Sequence, residues 1–391
     1  MSEWKEALLG DVCHISSSKR IFAKEYQTTG IPFYRGKEII EKHNGSSVST
    51  ELYISQERFD ELKTKFDVPR KGDILLTSVG TLGVPWLVDE EDFYFKDGNL
   101  TWLRTYDNCR SEFLYLWLNS PEAKHQIDAK CIGSTQKALT INTLNGFHIS
   151  LPDIETQDKI IALAFAIINK IKNNRRINKN LIEQGIATVA NMTETTSVVR
   201  PLSIICDNIC AGGTPSRKKS SYWDKPEYAW FKNGEIKNNI LISSEEYISN
   251  EGLVNSSAKL IPANSILFAM YCVSTPQVAI NAEECSCNQA VCTLQISDYE
   301  LMCYVYYYMI KYGINLTNLA NGAAQQNLNK KQISEFEIRM PSPEAIKKSG
   351  LSQNIDLRKH LASENKTLTE LRDSLLPKLI SGELNVSGLG L

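Results

Sequence analysis

The sequence predicts an α+β fold: two similar mixed α/β globular domains separated by a pair of long antiparallel helices (a coiled coil), related as a pseudo-twofold internal repeat. Three observations predict it. Residues 133–152 (GSTQKALTINTLNGFHISLP) align without a gap on residues 322–341 (GAAQQNLNKKQISEFEIRMP), with Gly133/Gly322, Gln136/Gln325, Leu139/Leu328, Phe147/Phe336, Ile149/Ile338 and Pro152/Pro341 in register. The offset of 189 residues is close to half of the 391-residue chain, far beyond a solenoid unit of ~20–50 residues, so a whole domain occurs twice. After each of the two prolines the apolar period changes from two to helical, and each half presents its elements in the same order.

Taken in order, each half first shows an aromatic–basic stretch, IPFYRGKEI at 31–39 and YAWFKNGEI at 228–236. Two aromatics precede a cation in both: Phe33, Tyr34 and Arg35; Trp230, Phe231 and Lys232. A proline-led apolar segment follows, VPRKGDILLTSVG at 68–80 and IPANSILFAMYCV at 261–273. Short apolar runs bounded by turn residues read as buried strands. Next come a further strand and an aromatic helix. That helix starts near Ser111 with Phe113, Leu114, Trp117 and Leu118, and near Asp298 with Leu301, Met302, Val305 and Tyr306. Ser and Asp are favoured N-caps. Last is an alternating strand, Phe147-x-Ile149-x-Leu151 and Phe336-x-Ile338-x-Met340, closed by Pro152 or Pro341. The resulting division is a first domain at 1–152, a central helix at 153–195, a second domain at 196–341 and a C-terminal helix at 342–391.

The helical stretches carry a seam at 4-3 spacing. In the central helix it runs through Ile160, Ala164, Ile167, Ile171, Asn174, Asn178 and Leu181; in the C-terminal helix, through Leu357, Leu361, Glu364, Leu368, Leu371 and Leu375. NKNLIE (178–183) matches NKTLTE (365–370), so the helices are repeated too. A helix from Ile154 to about Ala190 is ~55 Å long at ~1.5 Å per residue, and its apolar seam needs a partner. Chain order favours the second helix running back along the first; the alternative is that each packs on its own domain. TETTSVVRP (193–201) is the linker into the second domain. Pro377 should end or kink the last helix, and Gly382 should stop it.

Hydrophobic content of 42% with 23% charged residues is ordinary globular chemistry. The start, MSEWKEALLG, has no signal-peptide core, and the longest apolar run, Ile160 to Ile168, is far short of the ~20 residues of a membrane span. The chain reads as cytoplasmic, with no membrane partner. Seven of the ten cysteines lie in the second half, at 206, 210, 272, 285, 287, 292 and 303, with no CxxC pair and no nearby histidine to complete a zinc set. They read as reduced, packed thiols. Net charge is −2. Residues 1–150 hold 18 Lys and Arg against 21 Asp and Glu, and residues 196–340 hold 12 against 13. A nucleic-acid partner would therefore have to be held by local patches.

The chain shows no glycine-rich nucleotide loop, no GxxxxGK[ST] and no motif for base methylation. The glycines of SVGTLG (78–83) suit a tight turn. Asp224 lies eleven residues before Glu235-Ile236-Lys237, a short match to the D…ExK spacing of Mg²⁺-dependent nucleases; the first half has Glu38-Ile39-Ile40 there and lacks the lysine. His14, His43, His125, His148 and His360 form no triad signature, and His148 falls on the solvent face of its strand.

The remaining constellations suit binding. GGTPSRKKSSYW (212–223) is a Gly/Ser-rich loop bearing Arg217, Lys218 and Lys219, and SSSKR places Lys19 and Arg20 similarly in the first half. Tyr34, Arg35, Lys37 and Lys232 belong to the aromatic–basic stretches. Gln136, Lys137, Gln325 and Gln326 lie in polar loops. Cations neutralise phosphates, and glutamine pairs with adenine through two hydrogen bonds. The competing reading of each loop is a solvated surface.

These residues carry a resemblance. WKEALLGDV near the start, GGTPS in the second half, the repeated Gln-Leu…Phe-x-Ile-x-Leu/Met-Pro segments and LRDSLLPKLISGEL at 371–384 make the chain similar to the specificity subunits of type I restriction–modification enzymes, over essentially its whole length. The resemblance implies two target recognition domains, each reading one part of a split double-stranded DNA sequence. It also implies spacer helices that dock methyltransferase subunits, two by the twofold. It implies no catalysis and no cofactor in this chain: S-adenosylmethionine, ATP and Mg²⁺ belong to the methyltransferase and restriction/translocase subunits. It transfers no base-contacting residue. The near-neutral domains depart from a DNA-binding pattern. Other readings are the recognition subunit of a type IIB-like enzyme, a coiled-coil adaptor that binds protein, and a nuclease centred on Asp224 and Glu235.

Overall fold

The computed structural model describes residues 4–46, 48–131, 138–271, 275–317 and 327–386. Its contacts divide the chain into two units, residues 1–172 with 369–391, and residues 173–368. Each long helix contributes to both: Ile154–Glu194 to one side and the other of residue 172, and Leu351–Ile380 to either side of residue 368.

In the first unit, alternation of apolar and polar residues drives a strand pair, Lys5–Leu8 antiparallel to His148–Leu151, with Ile149 and Leu151 buried and His148 exposed. A four-stranded antiparallel sheet has the order Cys13–Ser16, Leu100–Thr105, Ile74–Thr77, Pro85–Leu87. A three-stranded sheet has Ile31–Tyr34 at its centre, antiparallel to Tyr53–Ile54 and parallel to Tyr94–Phe95. The aromatic helix Ser111–Leu118 buries Phe113, Leu114 and Trp117 against the larger sheet. Its N-cap is Arg110, one residue earlier than the sequence suggests: the Ser111 hydroxyl is engaged with that of Thr105 (2.8 Å) and caps nothing, and the Arg110 backbone N–H donates to Gln157 Oε1 of the central helix (2.8 Å).

The second unit repeats this plan. Val199–Pro201 pairs antiparallel with Glu337–Arg339. The larger sheet has the order Asn208–Ala211, Val291–Gln295, Ile266–Ala269, Val278–Asn281, with one added edge strand, Ile240–Leu241. The three-stranded sheet has Tyr228–Phe231 between antiparallel Tyr247–Ile248 and parallel Cys285–Cys287. Asp298 caps the aromatic helix Tyr299–Tyr312, accepting from the Leu301 N–H (3.1 Å). The thiols of Cys285, Cys287 and Cys292 are buried and unpaired with one another; burial pushes Cys285 and Cys292 up to about 12.

Within the second unit the helices run antiparallel. Asn174 Nδ2 donates to Glu364 (2.6 Å) and Asn365 (3.1 Å), Arg358 Nε to Asn178 (3.0 Å), and Asn354 Nδ2 to the Leu181 carbonyl (3.0 Å), so numbers rise along one helix as they fall along the other. Within the first unit, Ile160 and Ala164 share a core with Leu379 and Ile380, edged by Ile168 and Leu375, and Ile171 is buried as well. Ile167, Leu181 and Leu368 are half-buried and Leu361 is buried. Two expected seam positions differ. Leu357 is 44% and Leu371 43% exposed, because the helix is rotated to turn the next residue inward in each case, Arg358 fully and Arg372 partly. Helix Leu351–Ile380 also runs through Pro377 instead of stopping there. Ser381 donates to the Pro377 carbonyl (3.0 Å), and the stop comes at Gly382, whose φ of +74° and contact with the Trp4 ring exclude a side chain.

Candidate nucleic-acid interface

In both units the basic loop hangs on the same strand of the three-stranded sheet. In the first, Tyr94 Oη accepts from the Lys19 N–H (2.9 Å), and Ser18 Oγ donates to the Phe95 carbonyl (2.8 Å). In the second, Gly213 N–H donates to the Cys287 carbonyl (2.9 Å). A Cβ on Gly212 would strike the Cys287 and Asn288 carbonyls, and one on Gly213 the Ser257 carbonyl. The paired glycines therefore serve close backbone approach.

The shared Glu-Ile of the aromatic–basic stretches is a cap. Glu38 accepts from the Arg35 N–H and from Arg35 Nη2 (2.8 Å each) at the start of helix Gly36–His43. Glu235 accepts from the Lys232 N–H (2.8 Å) at the 3-10 turn Asn233–Glu235, and from Ser244 Oγ and the Glu245 N–H. With both of its oxygens engaged in these bonds, Glu235 is held as a structural carboxylate. Among the described residues no group of three or more His, Cys, Asp or Glu side chains is placed to hold a metal ion.

Lys19 is exposed, with Nζ 4.9 Å from the centre of the Phe66 ring. Arg20 pairs with Asp97 (2.9 Å), and Lys37, exposed, lies 3.9 Å from Glu41. Tyr34 departs from the expected surface position. It is 3% exposed, stacked on Phe93 and edge-on to Trp86, and its hydroxyl donates to Glu91 (2.6 Å). Burial, then Glu91, push that hydroxyl's pKa well up. Alternation in strand Ile31–Tyr34 does not distinguish the two faces of a sheet covered on both sides, which is why pattern alone misplaces it.

In the second unit, Arg217 and Lys232 meet on Glu246. Arg217 Nη1 donates to Glu246 Oε2, and Lys232 Nζ lies 3.2 Å from Glu246 and 2.7 Å from Glu245. Arg217 first, and then Lys232, hold the Glu246 carboxyl below its usual range. The Arg217 guanidinium lies 3.6 Å from the centre of the Trp223 ring and 5.2 Å from that of Trp230. Trp223 stands edge-on to Trp230, and their indole N–H groups donate to the Ser216 (3.2 Å) and Gly213 (3.0 Å) carbonyls. Lys219 donates to Tyr222 (2.9 Å), whereas Lys218 is exposed with no partner among the described residues. The structure pins this loop through Arg217 and Trp223, and Trp223 and Glu246 are partners that the sequence reading does not single out, while it names Trp230 only as an aromatic ahead of Lys232. Trp223 sits in the quoted string itself; Glu246 lies too far along the chain to be found by pattern. Gln136, Lys137, Gln325 and Gln326 lie outside the described residues.

With this geometry in view, comparisons with known proteins are specific. The type I restriction modification DNA specificity domain matches residues 1–184 and 197–359, and the chain belongs to that family. The HindI type I restriction enzyme specificity subunit of Haemophilus influenzae is 24% identical over an alignment covering 98% of this chain and 100% of that one. A second Haemophilus influenzae protein, provisionally named as a type I restriction enzyme specificity subunit, is 34% identical over 158 residues, 40% of this chain and 38% of its own length. The crystal structure of the S subunit of a type I restriction–modification system from M. genitalium shares the fold, with a TM-score of 0.63 at 14% identity over 97% of this chain and 96% of that one. Among the described residues no helix is long and apolar enough to cross a membrane.

Proposed function

We propose that each unit reads one half of a bipartite double-stranded DNA target and that the two helices set the unread gap between the halves. The units differ in sequence, so the target is asymmetric. The chain supplies recognition without catalysis. Methyltransferase subunits, two by the internal repeat, use S-adenosylmethionine, and a restriction/translocase subunit uses ATP with Mg²⁺. The exposed Leu357 and Leu371, two heptads apart on the C-terminal helix, support docking of those subunits. Leu357→Gln and Leu371→Gln should change the stability of the free chain by under about 0.5 kcal/mol while weakening co-purification of the methyltransferase.

The observation that carries the reading is the duplicated arrangement itself: a three-stranded sheet with a cation-bearing loop on the equivalent strand, once in each unit. The test replaces residues 196–341 by the corresponding domain of a relative and maps methylated sites in cells that also carry the methyltransferase. One half of the recognised sequence should change and the other stay. A motif changed in both halves, or in neither, contradicts the reading.

A further inference from the structure

We infer that Arg217 is a base-reading residue, donating an in-plane pair of N–H groups to the O6 and N7 edge of one guanine in the major groove, while its neighbour Lys218 contacts phosphate. This rests on the reading of the chain as a DNA recognition subunit and deepens it by naming a specificity contact.

The argument starts from how the guanidinium is held. Stacking on Trp223 and the bond from Nη1 to Glu246 fix its plane and its rotation. The Trp223 ring is itself fixed, edge-on to Trp230 and bonded to the Ser216 carbonyl. The side chain still keeps 52% of its surface exposed, and its Nε and Nη2 donors have no partner among the described residues. Two parallel donors on one fixed edge are what bidentate recognition of guanine needs. Stacking on an aromatic ring lowers the ordering cost on binding, because the rotamer is already chosen.

Charge separates this role from phosphate binding. Glu246 balances the Arg217 cation, and a balanced cation releases few counterions from DNA. The guanine edge carries no net charge, so a neutralised fork still reads it. Lys218 has the opposite properties, being exposed and without a balancing carboxylate among the described residues. In the first unit, Arg20 is tied to Asp97 with no aromatic partner among the described contacts, so the inference is confined to the second.

The test uses the full chain assembled with its methyltransferase subunits. The probes are duplexes carrying the methylated sequence mapped for the wild type, with each base pair of both halves replaced in turn. Wild type should discriminate roughly 10- to 100-fold at a G·C pair that Arg217→Lys, which keeps the charge and loses the fork, reduces to a few-fold. Discrimination in the other half should be unchanged, which also reports that the variant is folded. Lys218→Gln should weaken every duplex alike and lower the salt slope by about one. Arg217→Lys complexes that keep full discrimination at every pair, or that bind all duplexes equally more weakly with a shallower salt slope, overturn the inference. A wild-type complex that discriminates at no pair overturns the DNA-recognition reading itself.

Discussion

The two units lay out their strands in the same order, yet they seat the long helices by different chemistry. In the first, residues 154–172 and 369–380 bring Ile160, Ala164, Leu379 and Ile380 into one core with Phe113, Leu114 and Trp117. In the second, Arg358 is fully buried and donates to Asn178, Tyr306, Tyr307 and the Asn238 carbonyl, each at 3.0 Å, with no carboxylate among those partners. Burial pushes the Tyr306 and Tyr307 hydroxyls up, so they remain neutral. Apolar contact is non-directional and tolerates small slides, whereas four directed bonds from one guanidinium admit one register. The first unit contributes burial to the helix pair; the second contributes alignment, reinforced by Asn174 against Glu364 and Asn365.

Breaking the polar seat should produce the largest effect. Arg358→Met leaves buried hydroxyl and carbonyl groups without their donor at roughly 1–3 kcal/mol for each group left unsatisfied, and the second unit should lose about 3–5 kcal/mol in all, measured by hydrogen exchange in strand Ile266–Ala269. Unchanged protection would show that the network contributes nothing beyond its packing. Leu379→Ala probes the apolar seat, with an expected loss of about 2–4 kcal/mol that is insensitive to salt in denaturant titrations. The cap glutamates sharpen the comparison at a smaller scale. Glu38→Ala and Glu235→Ala should each cost about 1–2 kcal/mol, with Glu38 the larger because it is fully buried against Arg35. Equal melting shifts would contradict that ranking.

The smallest effect is a pH dependence centred on the first unit. His43 Nδ1 lies 2.8 Å from the Pro85 carbonyl, and burial lowers its pKa. The unfolded histidine binds a proton near pH ~6.5 and the folded one only at lower pH. This contribution to stability is therefore complete above about pH 6.5 and is lost as pH falls through the folded value. Melting temperatures from pH 7 to 5 should fall less in His43→Asn than in the wild type; parallel curves would remove His43 from the account.

Much of the fold is legible in the sequence because its punctuation is local. Alternation up to Pro152 and Pro341, the cap Glu that follows two aromatics and a cation, and Asp298 before an apolar helix all act within a few residues. What is not legible depends on distant partners. Leucine type suggested Leu357 and Leu371 for the seam, but Arg358 finds Tyr306, Tyr307 and Asn238 and turns inward instead. Tyr34 reads as a surface aromatic until Phe93, Trp86 and Glu91 close over it. At the candidate interface the cations stand out in the string, whereas Glu246, 29 residues beyond Arg217, is visible only in the folded chain.

The most direct test of two readers on a helical ruler is to insert one heptad into each long helix and map the methylated sequence in cells supplying the methyltransferase. Seven residues add ~10 Å at ~1.5 Å per residue, about three base pairs at ~3.4 Å each. Both half-sites should keep their bases while the gap between them lengthens by about that amount. New bases in either half with the gap unchanged would contradict the account.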